Sequence, residues 1–132
     1  MADDPKKRAK NLVARSKKKR GYLPFWLEYM SEHDVDYLEA YEEHYEKLFD
    51  RDTALPPKFK QLVVLSALAV SREDYGMQFH IRRAFEMGIT QAEMVNTFQT
   101  AAWHTGALTL VHGMKVLLAI IEERKQAGKP TP

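Results

Sequence analysis

Apolar residues recur at helical spacing along most of the chain, and nowhere do they alternate strictly between hairpin turns as half-buried strands require. The segment GYLPFWLEYM is an aromatic-rich connector. Its Leu23, Phe25, Trp26 and Leu27 are expected to cover hydrophobic surface on their own domain or on a neighbouring subunit. Ser31 and Asp34 then read as a capping pair that opens an amphipathic helix. Leu38, Tyr41, Tyr45 and Leu48 form its apolar stripe, with Glu39, Glu42, Glu43 and Glu46 mostly off it. DTALPP ends this helix, and Pro57 suits the first turn of the next. That helix, KFKQLVVLSALAVS, is apolar almost all round. QLVVLSALAV would also make a strand, but the Pro-Pro start, the length and the two alanines favour a buried helix.

Residues 73–87 make a further helix, stopped by Gly88 in the left-handed position that commonly follows a helix end. Thr90 and Glu93 supply a second capping pair, so a helix over 91–103 starts almost at once. The last helix, over 107–126, carries Leu110, Val111, Met114, Leu117, Leu118 and Ile121. The expectation is an all-α domain of about five helices over residues 21–128.

Charge divides the chain differently. Residues 1–20 hold nine of the 20 Lys and Arg but two of the 18 Asp and Glu, which leaves an acidic body behind a basic segment. Residues 1–20 read as a flexible, solvated tail. Its KKRAK and KKKR runs can bind nucleic acid or anionic lipid, although no aromatic residue interleaves the charges as a single-strand platform requires. The chain has 132 residues, suiting one domain, and no cysteine, so thiolate catalysis, disulfides and Cys-ligated zinc are excluded. No signal-peptide core or bilayer-length apolar run is present, and a cytoplasmic location is expected.

Of five histidines, His33 and His44 lie in a Glu-rich stretch and read as exposed helix residues. His80, His104 and His112 lie among apolar residues, where an imidazole must find hydrogen-bond partners. With Glu73 they offer metal-binding side chains, but not at the paired helical spacings of metal sites, and His104 and His112 stand about 12 Å apart along a helix. No metal and no cofactor is expected. Phosphate-binding loops and nucleophile turns are also missing. Cofactor-free proton transfer remains, with His80 beside Phe79, Phe85 and Trp103 as its candidate and ordinary core packing as the alternative.

The stretches LPPKFKQLVVLSALAV, FHIRRAFEMGITQAEM and AAWHTG, in that order and without gaps, resemble the carboxymuconolactone decarboxylase family, which includes the alkyl hydroperoxidase D-like proteins. The resemblance implies a compact helical fold around a helical hairpin, assembled as homotrimers or homohexamers with small-molecule pockets near subunit interfaces. The family's redox branch carries two cysteines where this chain has Glu73 and Gly76, and a glutamate where it has Gln61; of that machinery only His80 is retained. The decarboxylase branch needs neither cysteine nor cofactor. By that analogy His80 is the acid/base, with His104 and Glu73 as further catalytic candidates. Gln61, Phe79, Trp103 and His112 would line the substrate site. Asn96 and His104 depart from the glutamate and the tyrosine-like residue common in that branch. For Glu73, a purely structural role at a helix N-terminus competes with catalysis.

The resulting expectation is a lyase acting on a small carboxylated lactone or keto acid in aromatic-compound catabolism. A non-catalytic binding or scaffold protein of the same fold is the alternative, and a histidine-based metal enzyme a weaker one.

Overall fold

The computed structural model describes residues 4–132, and among these it has seven α-helices and no strand. The two helices beyond the expected five lie in the N-terminal region. The chain divides into two compact units, one ending at Thr53 and the other spanning Ala54–Pro132.

The first unit contains α1 (Pro5–Arg20), α2 (Phe25–His33) and α3 (Val35–Tyr45), the last running into a π-helical turn, Glu46–Asp50. The segment expected to be a mobile tail is therefore helical from Pro5, while its first three residues lie outside the described ones. Local signals start and stop the helix: Asp4 accepts a hydrogen bond from the Lys6 backbone (3.1 Å), Pro5 occupies the first turn, and Gly21, at φ 80°, closes it. Its inward face is stabilised by charge as much as by Leu12. Arg8 pairs with Asp36 (2.7 Å) and Glu39, Arg15 with Glu46 (2.6 Å), and Lys19 with Glu46 (2.9 Å) and Asp50 (2.8 Å).

Acids of α3 and of its π-helical turn, which lie mostly off the apolar stripe, are thus the docking surface for α1. Glu42 is buried with Arg20, 2.8 Å from it, and the Arg20 guanidinium lies 3.8 Å over the Tyr45 ring. Removing either partner of such a pair is strongly destabilising, because it leaves a buried charge uncompensated. Leu38 is buried as its stripe predicts, and Leu48 is exposed. Asp34 caps α3 through the Tyr37 backbone (3.1 Å), whereas Ser31 lies inside α2. Trp26 of the aromatic-rich connector meets Tyr41 edge-on (4.9 Å between ring centres), within the same unit.

The second unit comprises α4 (Pro57–Ser71), α5 (Asp74–Glu86), α6 (Gln91–Thr105) and α7 (Ala107–Gln126). Leu65 and Ala69 of α4, Met77, Ile81 and Phe85 of α5, Phe98 of α6 and Leu117 and Ile121 of α7 share one core. Thr90 and Glu93 form a full capping box, and Gly88 has φ 78°. Helix α4 is less enclosed than its sequence predicts, since Phe59, Val63 and Val70 are exposed. Gly113 on α7 faces the Phe98 ring so closely that a Cβ there would lie 2.4 Å from Cγ.

Candidate functional site

Helices α4 and α5 form an antiparallel hairpin whose turn is set by Arg72, the one non-glycine residue with positive φ (57°) among those described. Glu73 follows as the N-cap of α5 and accepts the Gly76 N–H (2.6 Å). Its carboxylate is thereby committed to the helix terminus, seven residues or about 10 Å along the axis from His80. The structure thus assigns Glu73 the capping role that competed with catalysis in the sequence.

The hairpin brings Gln61 of α4 against His80 of α5. Gln61 is buried and His80 half-buried. The Gln61 Nε2 lies 2.8 Å from the His80 backbone carbonyl and 2.9 Å from its Nδ1. A carbonyl only accepts, so the first contact fixes the side-chain amide with its NH₂ toward His80. The second proton of that NH₂ then points at Nδ1, which must accept. It follows that the imidazole proton resides on Nε2, a tautomer assigned from the hydrogen-bond network. In that arrangement the ring carries its proton on Nε2 and none on Nδ1.

The other expected residues are not gathered round this pair. Trp103 is 85% exposed, so it gives His80 no cover within the chain, contrary to expectation, and His104 is exposed beside it at the end of α6. Their segment is the last turn of a helix whose buried side chains, Met94 and Phe98, lie farther back. Phe85 belongs to the core, while Phe79 packs edge-on against Tyr75 (5.1 Å) with the Arg82 guanidinium 5.4 Å from its ring centre. His112 of α7 has its Nδ1 3.4 Å from Asp74 Oδ1, and Lys115 Nζ lies 3.3 Å from Asp74 Oδ2. Burial opposes the Asp74 charge, but Lys115 and His112 outweigh it and hold the carboxyl below its usual range. Asp74 and His80 are six residues apart, about 120° around α5, so the two histidines occupy different flanks.

Asp74 was not singled out from the sequence, because its partners lie tens of residues away. No three His, Asp or Glu side chains among the described residues converge on a site able to hold a metal ion, so His80, His104 and His112 do not form one. A groove of about 490 Å³ lies between α4 and α6, lined by Leu55, Phe59, Val63, Ser66, Asn96 and Thr100 among others. It includes Asn96 but none of the expected site residues.

An all-helical unit with a buried glutamine fixing a histidine across a helical hairpin defines a class that comparison with known proteins makes specific. The sequence model of the carboxymuconolactone decarboxylase family matches residues 36–119, well over half the chain, and the chain belongs to that family. Among solved structures it is similar to a protein of Burkholderia xenovorans LB400 provisionally described as a carboxymuconolactone decarboxylase. The TM-score is 0.80 at 23% identity, covering 97% of this chain and all of the other, which establishes likeness of fold. None of the curated proteins matches it significantly. No helix among the described residues is long and apolar enough to cross a membrane.

Proposed function

We propose that the protein is a cofactor-independent, decarboxylase-like lyase for a small carboxylated lactone or keto acid, with His80 at its catalytic centre. The carrying observation is the Gln61–His80 pair, in which a buried amide meets both the backbone carbonyl and the Nδ1 of one histidine. Loss of CO₂ from such a substrate breaks a C–C bond and moves its electron pair onto the neighbouring carbonyl, giving an enolate-like oxyanion. That carbon later takes a proton from solvent.

A neutral Nε2–H is suited to donating a hydrogen bond to the developing oxyanion, which refines the acid/base role to oxyanion stabilisation. Gln61 is the positioning residue. Family membership supports the reaction class, and the name given to the Burkholderia protein agrees with it.

Assembly into trimers or hexamers belongs to the same proposal. Phe59, Val63 and Val70 on α4 and Leu108, Val111 and Leu118 on α7 are exposed apolar residues that a second copy can cover, and sedimentation at micromolar concentration tests this. The catalytic reading is tested by CO₂ release from a panel of carboxylated lactones and β-keto acids. Removing one oriented oxyanion donor typically costs about 10²–10³ in kcat, so His80→Ala is expected to lose that much with an unchanged circular dichroism spectrum. Equal turnover by wild type and His80→Ala would remove His80 from the mechanism. A wild type inert to the whole panel, yet thermally stabilised by some of its members, would support the non-catalytic binding protein instead.

A further inference from the structure

The nine cations of α1 divide by face. Arg8, Arg15, Lys19 and Arg20 turn inward to acids of α3 and its π-helical turn. Lys6, Lys7, Lys10, Lys17 and Lys18 turn outward, all exposed, and none has an acidic partner within ion-pair distance among the described residues. Lys6, Lys10 and Lys17 fall within about 40° of one another around the axis, and Lys7 and Lys18 within about 20° on the adjoining strip. The result is a ridge about 18 Å long bearing one sign of charge, since Pro5–Arg20 contains no Asp or Glu.

Ordinary helix energetics does not account for this arrangement. The macrodipole favours cations at the C-terminal end, which suits Lys17 and Lys18, but disfavours Lys6 and Lys7 in the first turn. Lys6 and Lys10 also repel each other as a like-charged i, i+4 pair. Lys6, Lys7 and Lys10 thus weaken the start of the helix they belong to, and a bound polyanion relieves these repulsions.

We propose that the outer face of α1 binds the phosphate backbone of double-stranded nucleic acid without reading its sequence. Every arginine of α1 is committed to a carboxylate, so no bidentate reader of base edges is left, and lysine serves as a point charge toward phosphate. The helix has no aromatic residue for stacking unpaired bases. Its buried apolar residue, Leu12, is packed within the unit, so no apolar face is available to sink into a lipid surface. Beside the ridge runs a groove of about 750 Å³ with Lys6, Lys10 and Lys17 on one wall and Glu28 and Glu32 of α2 on the other. The acidic wall keeps phosphates out of the groove and on the crest of α1. This reading is independent of the chemistry at His80.

The test is fluorescence anisotropy of the full chain with a labelled 24-base-pair DNA duplex of mixed sequence across a sodium chloride series. Three to five lysine–phosphate contacts give a slope of log K against log salt of about −3 to −4.5, a loss of roughly 60- to 500-fold in affinity between 50 and 200 mM. Combined Lys6→Gln, Lys10→Gln and Lys17→Gln is expected to reduce the slope by about one for each lysine removed. These substitutions also relieve repulsion, so the variant stays folded. Combined Glu28→Gln and Glu32→Gln is expected to tighten binding severalfold, and His80→Ala to bind as wild type does. No binding at 50 mM salt, or lysine or glutamate variants indistinguishable from wild type, would overturn the proposal. Adsorption to vesicles containing 30% anionic lipid without duplex binding would overturn it as well.

Discussion

The Gln61 side chain donates both of its amide protons to one residue, His80, meeting its backbone carbonyl at 2.8 Å and its Nδ1 at 2.9 Å. The carbonyl fixes the orientation of the amide, and the amide fixes the tautomer of the ring. Gln61→Glu tests this chain of dependence. A carboxylate accepts only, so it would draw a proton onto Nδ1 and face the carbonyl with a second acceptor. The expected outcome is turnover reduced about 10²-fold or more, with kcat affected more than KM, and a changed pH profile. Gln61→Glu with an unaltered profile would show that Gln61 does not act through the ring.

The approach of Phe98 to Gly113 predicts a stability effect unrelated to the site. Alanine at 113 would place its Cβ within 2.4 Å of the Phe98 ring, inside the shared core. Alanine has the better helix propensity by about 1 kcal/mol, but overpacking costs about 1–3 kcal/mol, so Gly113→Ala is expected to be net destabilising. Adding Phe98→Leu to Gly113→Ala should recover part of the loss in urea unfolding.

The α4–α5 turn yields a prediction in both directions. Arg72 holds a left-handed conformation that costs a non-glycine residue about 1–2 kcal/mol, so Arg72→Gly is expected to stabilise the protein by up to about 1 kcal/mol. Glu73→Ala removes the cap on Gly76 and is expected to cost about 0.5–2 kcal/mol. Neither change should reduce turnover by more than about twofold, because the Glu73 carboxylate lies about 10 Å along α5 from His80. A large loss of kcat in a folded Glu73→Ala protein would restore Glu73 as a catalytic residue.

Acid stability follows from the ion pairs of the second unit. Arg124 holds the Glu86 carboxyl below its usual range, Lys58 does so for Glu93, and Arg82 for Glu123. A carboxyl depressed in the folded state stabilises it above the unfolded value, near pH 4, and that contribution is lost as pH falls through the folded value. Unfolding free energy measured in urea is therefore expected to decline below about pH 4.5, and less steeply in 0.5 M sodium chloride, since these acids are partly exposed.

The helices from Pro57 onward were legible in the sequence because their signals are local. TQAE caps α6, Gly88 ends the turn after α5, and Pro57 starts α4. Helix α1 was not, because its lysine-rich sequence reads as solvated until the acids of α3, some 20 to 30 residues away, are brought alongside. Glu42 was placed on the wrong face for the same reason, since apolar periodicity carries no information about a buried ion pair. At the site, the sequence singled out Gln61 and His80 separately. Their contact, and the exposure of Trp103 and His104, depend on how α4, α5 and α6 pack.

The Gln61 amide acts through the protonation pattern of one ring, and nitrogen-15 NMR of the His80 side chain measures that pattern directly in the wild type and in Gln61→Ala. At neutral pH the wild-type ring should show Nε2 protonated and Nδ1 as an acceptor, with that single tautomer lost or mixed in Gln61→Ala. A wild-type ring protonated on Nδ1, or one unchanged by removal of the amide, would contradict the assignment of Gln61 as the residue that sets His80 for catalysis.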